Sequence, residues 1–542
     1  MKVETSNAER TKMIGNQTRY GNIASKTMKI SSCLPQAQKF ENQEHKSDEY
    51  KDSTIRLNLS SSYKLSEENI SVDRLHILRN ETGPTQTLGL PDEIVNRFLN
   101  QGDVDLQLAI EDAVQSFSKI CQEHPGLVAL EEKNAIATVQ SGYLNFYEVD
   151  AVNPFLPLAA KGPWIVTLHG AVIHDSGGYG MLGFGQNPEE VIKALTQTPQ
   201  VMANIMTASV SQMRFLQALR NEIGHTRSET QECPFARFVC MNSGSEAMSV
   251  ASRISDAHAR RQLDSARHAG KRCVHLALKR GFHGRTYLPA SFSDSSQASY
   301  QKYLASFPLL GDHLWTVPMN DIEALRECFD RATREGVFIQ SLIMEPVQGE
   351  GSPGAALERE FYDTARRLTL ENDSFLIVDS IQAGLRTFGT LSIVDYPGFE
   401  DCNPPDMETW SKALNGGQYP LSLLGLTQRA ANEYIIGLYG NTMTTNPRAL
   451  DVACAVLSMV TPSLRDNICN QGKKFVQDLY RLQKEFPELI LEVHGTGLLF
   501  CAEFNPQHVQ VVGANGGEER CRLRGMNIIH GGKNAIRFTP HF

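Results

Sequence analysis

The sequence lacks the features of a membrane, secreted or metal-bound protein. Its 11 cysteines are odd in number and form no CxxC pair, so we predict neither a disulfide framework nor a metal site. No apolar run reaches the roughly 18 residues of a membrane-spanning helix, so no membrane partner is predicted. The formal net charge of -9 argues against nucleic acid held by charge. These absences favour a reducing compartment, and we predict the cytoplasm.

The first part of the chain differs in composition from the rest. At 542 residues the protein exceeds the roughly 100–200 residues of a usual domain. Residues 1–70 are rich in Ser, Asn, Lys and Glu and poor in aromatics, so burial cannot offset the entropy of ordering them. We predict a disordered polar extension. It has no apolar central region, so it does not resemble a secretory signal peptide.

Hydrophobic patterning divides the remainder into three regions. Residues 71–160 place apolar residues at helical spacing and are predicted to form a helical segment. Residues 161–450 alternate short apolar runs with helical segments, as in FARFVCMN followed by SEAMSVASRISDAHARRQ. Strands buried on both faces and separated by helices predict an α/β sheet. Residues 451–542 read as helices followed by short strands, and we predict a smaller α+β domain.

Two motifs have a structural and a functional interpretation. The apolar run FLIVDS ends in Asp379, at the sheet edge where ligands bind in α/β proteins, although a lone Asp there is more often a cap or a turn. Gln382 follows closely, which capping explains less easily. MNSGSEAM places Ser243, Gly244 and Ser245 at a helix start, which suits either an anion or an ordinary N-cap.

Further stretches combine glycine with polar or charged residues. Each is ambiguous alone, because an aromatic residue can be core and a charge can lie in a solvated loop. A lone lysine, Lys412, lies just before the Gly416–Gly417 pair in SKALNGGQYPL. The others are KRGFHGRTY with Phe282, His283 and Arg285, IMEPVQGEG with Glu345 and Glu350, YGNTMTTNP with Thr442, and AIRFTP with Arg537.

Taken in order, these motifs resemble the class III aminotransferases, pyridoxal-phosphate enzymes of fold type I. The resemblance covers about residues 150–542 and is closest to the ornithine, acetylornithine and lysine branch. It implies a large domain with a mainly parallel seven-stranded sheet between helices, plus a smaller α+β C-terminal domain. The matching blocks are NSGSEA, GFHGRT, MEPVQGEG, VDSIQAG, SKALNGGQYPL and GNTMTTNP.

The resemblance implies pyridoxal 5'-phosphate as the cofactor. Lys412 takes the position of the lysine that forms a Schiff base with the cofactor aldehyde. Asp379 takes that of the carboxylate that keeps the ring nitrogen protonated. The other implied cofactor contacts are Gln382 at the ring hydroxyl, Phe282 on the ring face, Ser243, Gly244 and Ser245 at the phosphate, and Thr442 at the phosphate of a partner subunit. We therefore expect a homodimer or larger homo-oligomer with a composite active site.

The resemblance also implies residues that bind substrate. Arg285 corresponds to an arginine that holds a substrate carboxylate, and Arg537 to one that binds the α-carboxylate of glutamate or 2-oxoglutarate. Glu350 corresponds to a glutamate that masks this second arginine while the amino donor is bound. We expect a ping-pong transfer of an amino group, the ω-amino group of a diamino acid such as lysine or ornithine, to 2-oxoglutarate.

Two alternatives stay open. One is another pyridoxal-phosphate reaction, because the same blocks serve decarboxylases, racemases and aminomutases. The other is a non-catalytic relative, which would be expected to lose Lys412 or Asp379, and both are present. The sequence also departs from the family pattern: Ser380 replaces a usual glutamate, Arg386 is shifted by one position, and GFGQNP stands where GHxHP is common. These departures bear on the identity of the substrate more than on that of the cofactor.

Overall fold

The computed structural model gives the positions of most of the chain. The predicted polar extension, residues 1–70, lies outside the described part, and the predicted domain limits stay predictions. The described residues are 72–147, 149–197, 201, 204–227, 232–308 and 311–542.

The helices and strands are labelled in chain order. The helices are α1 Asp73–Glu81, α2 Asp92–Asn100, α3 Val104–Glu123, α4 Pro125–Val128, α5 Glu132–Gln140, α6 Glu189–Thr196, α7 Val210–Glu222, α8 Gly244–Leu263, α9 Tyr287–Ser291, α10 Gln297–Tyr303, α11 Ile322–Glu335, α12 Arg359–Glu371, α13 Gln428–Ala431, α14 Pro447–Met459, α15 Pro462–Glu485 and α16 Gly517–Leu523. The strands are β1 Pro157–Lys161, β2 Trp164–Thr167, β3 Val172–Asp175, β4 Arg237–Met241, β5 Arg272–Leu278, β6 Leu314–Val317, β7 Val337–Met344, β8 Phe375–Asp379, β9 Met407–Trp410, β10 Ser422–Leu426, β11 Ile490–Thr496, β12 Leu499–Phe504, β13 Met526–Asn527, β14 Ile529–Gly531 and β15 Ala535–Phe538.

A seven-stranded sheet organises the centre of the molecule, in the order β4-β10-β9-β8-β7-β5-β6. Strands β9, β8, β7, β5 and β6 pair in parallel, and β10 runs antiparallel to both of its neighbours. Every residue of β7 and β8 is buried, as expected for strands covered on both faces. The predicted mainly parallel seven-stranded sheet of fold type I is therefore confirmed.

The two faces of this sheet are covered by different helices. Leu342 and Met344 of β7 pack in a core that includes Phe361 of α12. Ile343, between them, packs on the opposite side with Met248 of α8. This alternation is the period of two that a strand imposes, and here both faces are apolar because both are covered. The sheet is therefore a rigid central layer between helices.

Two smaller sheets flank the central one in sequence. The first has the order β1-β2-β3-β13, and helices α1 to α3 share an apolar core with its strands β2 and β3. Strand β13 comes from the C-terminal region and pairs in parallel with β3, so both ends of the described chain contribute to this sheet. The second has the order β11-β12-β15-β14 and carries α15 against β11.

The central sheet brings three predicted motifs to one edge. Strands β7, β8 and β9 are parallel neighbours, so their carboxyl ends lie side by side. Glu345 follows β7, Asp379 ends β8, and Lys412 lies two residues beyond β9. This is the edge at which α/β proteins bind ligands.

Candidate active site

Lys412 projects into a cavity at the carboxyl edge of the central sheet. The cavity is about 400 Å³ in volume and Lys412 lies in its lining. The lysine itself has a φ of 44°, in the left-handed region that side chains other than glycine rarely adopt. Backbone strain of this kind persists only where the surrounding structure imposes it. The glycines of the motif, Gly416 and Gly417, also have positive φ values and complete the turn.

The surroundings of Lys412 favour its uncharged form. Burial and, after it, the charge of Arg537 lower its pKa to about 8, against the opposing effect of Glu350, Asp379 and Glu345. The ammonium donates a hydrogen bond to Oε1 of Gln382. An amine with a pKa near 8 is partly uncharged at neutral pH, which is the form that can act as a nucleophile or accept a proton.

Asp379 is held from several sides. Its side chain is buried, and His283 Nδ1 donates to its Oδ2 at 2.8 Å. The backbone N–H of Ile381 and the hydroxyl of Thr409 donate to its other oxygen at 3.1 and 3.4 Å. The sequence pattern left His283 without a role, yet it fixes the orientation of the carboxylate.

The GFHGRT turn packs against the start of α8. A Cβ at Gly284, whose φ is 131°, would lie 2.3 Å from Ser245 Oγ, so only glycine allows this approach. The N–H of Arg285 donates to the same Oγ at 3.2 Å. The turn thereby places Phe282 in the lining of the same cavity as Lys412.

The first turn of α8 offers unused N–H groups to the cavity. Ser243 and Glu246 form a capping box in which each side chain accepts from the backbone of the other, at 3.3 and 3.0 Å. Among the described residues, no acceptor faces the N–H groups of Gly244 and Ser245. Such a helix start binds anions, because its N–H groups and the helix dipole both favour negative charge. The motif can therefore be an ordinary N-cap and an anion-binding site at the same time.

The lining residues fit pyridoxal phosphate. Nε2 of Gln382 is buried and has no hydrogen-bond partner, although Oε1 of the same amide accepts from Lys412. A free donor, a flat aromatic wall at Phe282 and a helix start for the phosphate all face one cavity. Asp379 faces it as well, as a carboxylate for a ring nitrogen.

Arg537 and Glu350 form an ion pair beside this cavity. Arg537 lies on β15, is buried, and donates from Nη1 to Glu350 Oε2 and to the carbonyl oxygen of Gly349, each at 2.6 Å. Its Nε has no partner among the described residues. The charges of Arg537 and Lys412 lower the pKa of Glu350 although burial acts to raise it. The sequence-predicted pairing of these two residues therefore exists in the structure.

Comparison with known proteins places the chain in a family. The family model for class III aminotransferases matches residues 146–542. The chain belongs to this family. As a class III aminotransferase it is a transaminase with pyridoxal 5'-phosphate as cofactor, which confirms the predicted family, enzyme class and cofactor.

The relatives compared below are 22% to 30% identical to this aminotransferase over the aligned residues. The acetylornithine aminotransferase of Xanthomonas axonopodis pv. citri is 29% identical over 366 residues, which are 67% of this chain and 82% of that protein. That of Clostridium acetobutylicum is 30% identical over 304 residues, 56% of this chain and 71% of that protein. The crystal structure of the Toxoplasma gondii ornithine aminotransferase matches in fold, with a TM-score of 0.64, 22% identity and coverage of 78% of this chain and 93% of that one.

Besides Arg537, which lies behind Glu350, two predicted residues of the aminotransferase are absent from the cavity lining. Arg285 is exposed, and its guanidinium lies 5.6, 5.9 and 5.6 Å from the ring centres of Phe146, Tyr147 and Phe282. Thr442 is exposed too, and its carbonyl oxygen accepts from Asn204 at 3.3 Å. Arg285 therefore lies at the rim of the site, and Thr442 lies outside the cavity of its own chain.

The departures from the family pattern have structural partners. The Ser380 hydroxyl donates to Glu408 on the adjacent strand at 2.5 Å, and burial raises the pKa of Glu408 to about 7. Arg386 is fully buried and donates to backbone carbonyl oxygens, at 2.6 Å to that of Pro540. Glu408 gave no signal in the sequence, because an isolated glutamate in a strand pattern reads as an exposed position.

Proposed function

We propose that this aminotransferase moves the ω-amino group of a diamino acid, such as lysine or ornithine, to 2-oxoglutarate. The observation that carries this proposal is the Arg537–Glu350 ion pair beside Lys412. While its carboxylate partner is in place, the ion pair presents no net charge to an amine donor. When the carboxylate moves away, the guanidinium presents a free positive charge to a 2-oxo acid. The names of the acetylornithine and ornithine aminotransferases among its relatives support the same donor class.

The lining residues are proposed to hold the cofactor as follows. Asp379 would keep a proton on the ring nitrogen, because an adjacent negative charge favours the charged form. Gln382 would donate its free Nε2–H group to the ring hydroxyl, and Phe282 would cover a ring face. The free N–H groups of Gly244 and Ser245, with the Ser243 side chain nearby, would receive the phosphate.

When bound there, pyridoxal phosphate supplies an aldehyde that accepts an amino group and a ring that withdraws electrons from the attached carbon. Lys412 is proposed to take the proton from the amine-bearing carbon of the donor and to return it during transfer. A pKa near 8 suits this role, because the amine can then both lose and regain a proton at neutral pH.

The two half-reactions need different states of the ion pair. While the donor is bound, Glu350 stays on Arg537, so no second carboxylate is attracted. When the 2-oxo acid enters, its α-carboxylate replaces Glu350 on the guanidinium, which offers a bidentate geometry. Arg285 at the rim is proposed to hold the carboxylate of the amino donor and, in the second half, the other carboxylate of the 2-oxo acid. The product of the first half leaves before the second substrate binds, which is a ping-pong scheme.

We also propose a homodimer or larger assembly in the cytoplasm. Exposed apolar side chains occur in two segments that contact each other through Asn204 and Thr442. They include Ile205, Met206, Met213, Ile436 and Met443. If a second copy of the chain covered this face, Thr442 of the first copy would lie near the phosphate site of the second. Among the described residues, no helix is long and apolar enough to cross a membrane.

A half-reaction screen tests the donor class. The purified holoenzyme is mixed with one amine at a time, without a 2-oxo acid, and the cofactor absorbance is followed. We expect lysine or ornithine to convert the aldehyde form stoichiometrically to the amine form, and 2-oxoglutarate to reverse the change. Release of CO2 or loss of chirality without conversion would instead indicate a decarboxylase or a racemase.

Sedimentation of the holoenzyme at micromolar concentration tests the assembly, and a monomer would contradict it.

A further inference from the structure

Glu345 joins two loops of the site through one carboxylate. It directly follows β7, lines the cavity and is 3% exposed. Its Oε1 accepts from the N–H of Phe282 at 3.0 Å, and its Oε2 accepts from the N–H of Gly349 at 2.8 Å. One loop carries the ring-stacking Phe282, and the other carries Glu350. The carboxylate therefore fixes the distance between the cofactor wall and the segment that holds the ion pair.

The Gly349 residue is held at both of its backbone polar groups. Glu345 holds its N–H, and Arg537 Nη1 donates to its carbonyl oxygen at 2.6 Å. A Cβ at Gly349 would also lie 2.3 Å from Cγ of Gln382, so no other residue fits here without displacement. Gly349 is thus a fixed point directly before Glu350, the residue proposed to move.

We propose that Glu345 is a positioning residue for the acceptor half-reaction, because it keeps the Gly349 carbonyl oxygen in place to hold Arg537 after Glu350 leaves. Of the described residues, only Gly349 and Glu350 accept hydrogen bonds from Arg537. With Glu350 displaced, the Gly349 oxygen is the protein contact that orients the guanidinium. This inference rests on the proposed exchange at Arg537.

The ionised form of Glu345 is the one that holds both loops. A carboxylate accepts two N–H bonds, whereas a protonated acid or an amide presents a donor to one of them. Among the described residues, no Lys, Arg or His nitrogen lies within 4.0 Å of its oxygens. Burial raises its pKa to about 7, against the charge of His283 and the N–H groups of Gly349 and Phe282, and Asp379 acts in the same direction as burial. Lys412 lines the same cavity, and the negative charge of Glu345 favours the charged form of this lysine.

Glu345→Gln in the holoenzyme tests the proposal. We expect the dissociation constant for glutarate, an unreactive dicarboxylate with the skeleton of 2-oxoglutarate, to rise roughly tenfold, since an amide leaves one N–H group unpaired. Calorimetric titration measures this without any turnover. The donor half-reaction, during which Glu350 itself holds Arg537, is expected to change less than about twofold.

Glu408→Gln is the matched control. Glu408 is equally buried, has a pKa raised to about 7, and accepts from the Ile393 N–H and the hydroxyls of Ser380 and Ser392, away from Gly349. We expect it to lower the melting temperature as much as Glu345→Gln while leaving glutarate affinity unchanged. Equal losses of affinity in both variants would show a general structural effect and overturn the proposal.

A shorter carboxylate covers the case in which Glu345→Gln fails to fold. Glu345→Asp keeps the charge but loses a methylene, so it can reach only one of the two N–H groups. We expect weaker glutarate binding with a normal donor half-reaction, and unchanged binding would overturn the proposal. If the wild-type holoenzyme itself binds no glutarate, the assignment of Arg537 fails, which is a different result from a failure at Glu345.

Discussion

The two ends of the active site are built differently. At the end proposed to hold the cofactor, Asp379 ends β8 and Lys412 follows β9, and each has a polar partner that can stay in place, namely His283 and Gln382. At the substrate end, Arg537 pairs with a glutamate whose side chain is 31% exposed. Arg285 has aromatic rings around it and no carboxylate partner among the described residues.

The difference separates permanent contacts from replaceable ones. Strand ends in a sheet buried on both faces have few alternative positions, so they suit groups that must keep one geometry relative to a cofactor. A partly exposed glutamate can leave its partner at little cost in solvation. We therefore expect changes at the cofactor end to act on kcat and cofactor binding, and changes at the substrate end to act on KM.

Lys412→Ala has the largest expected effect. Without the amine there is neither a covalent anchor for the cofactor nor a group to move the proton, so kcat is expected to fall by about 10⁴-fold or more. Steady-state turnover with the best donor and 2-oxoglutarate measures the loss. Borohydride reduction of the variant should fix no cofactor to the protein, and retained turnover would contradict the whole assignment.

Asp379→Asn is expected to act next most strongly. Asparagine keeps the shape but not the charge, so the ring nitrogen loses the group that keeps it protonated, and kcat is expected to fall about 10²–10³-fold. His283→Phe removes only the group that orients Asp379, so a smaller loss is expected there. A larger loss in the His283 variant than in the Asp379 variant would reverse their proposed order.

The sequence indicated the positions of residues at the proposed cofactor end more directly than the pairing at the proposed substrate end. Asp379 and Lys412 lie close to the ends of their strands in the sequence, so local patterning indicates their place at the sheet edge, and only the resemblance implied their contacts with a cofactor. The pairing of Glu350 with Arg537 joins positions far apart in the chain, and it was reached only through resemblance to a family. Local patterns carry no information on which distant loop meets a given strand.

Other contacts escaped the sequence for the same physical reason. Glu345 and Glu408 are buried glutamates satisfied by backbone N–H groups and hydroxyls, and nothing in their neighbouring residues indicates burial. The first small sheet also escaped it, because β13 comes from the far end of the chain to pair with β3. His283 was in a predicted motif, but its role depends on Asp379, which lies on another strand.

Arg537→Lys tests the replaceable end of the comparison. Lysine keeps the charge but cannot bind a carboxylate with two parallel hydrogen bonds, so the KM for 2-oxoglutarate is expected to rise about 30-fold, the equivalent of about 2 kcal/mol. The half-reaction with the amino donor alone should change little. A fall in kcat for both halves, with KM unchanged, would place Arg537 with the permanent contacts instead.

Arg285→Ala is expected to have a smaller effect on KM. The guanidinium is exposed at the rim, where charge is screened by solvent, so we expect about a fivefold rise in donor KM. Phe146→Ala, which removes one of the rings around it, should give part of this rise. Separate KM values for donor and acceptor, measured in the half-reactions, distinguish the two arginines.

The smallest expected effects are changes in the melting temperature of the cofactor-free protein, with one variant at each end of the site. Lys412 is charged at neutral pH against an unfavourable environment, so Lys412→Met should raise the melting temperature by about 2 °C at pH 7. Arg537→Met should lower it, because Glu350 loses its partner. The folded pKa of Lys412, about 8, lies below the usual 10.5, so its cost is full below pH 8 and shrinks as the pH rises toward 10.5. The gain from Lys412→Met should therefore fade between these values in thermal melts, and a gain that is independent of pH would point to packing rather than charge.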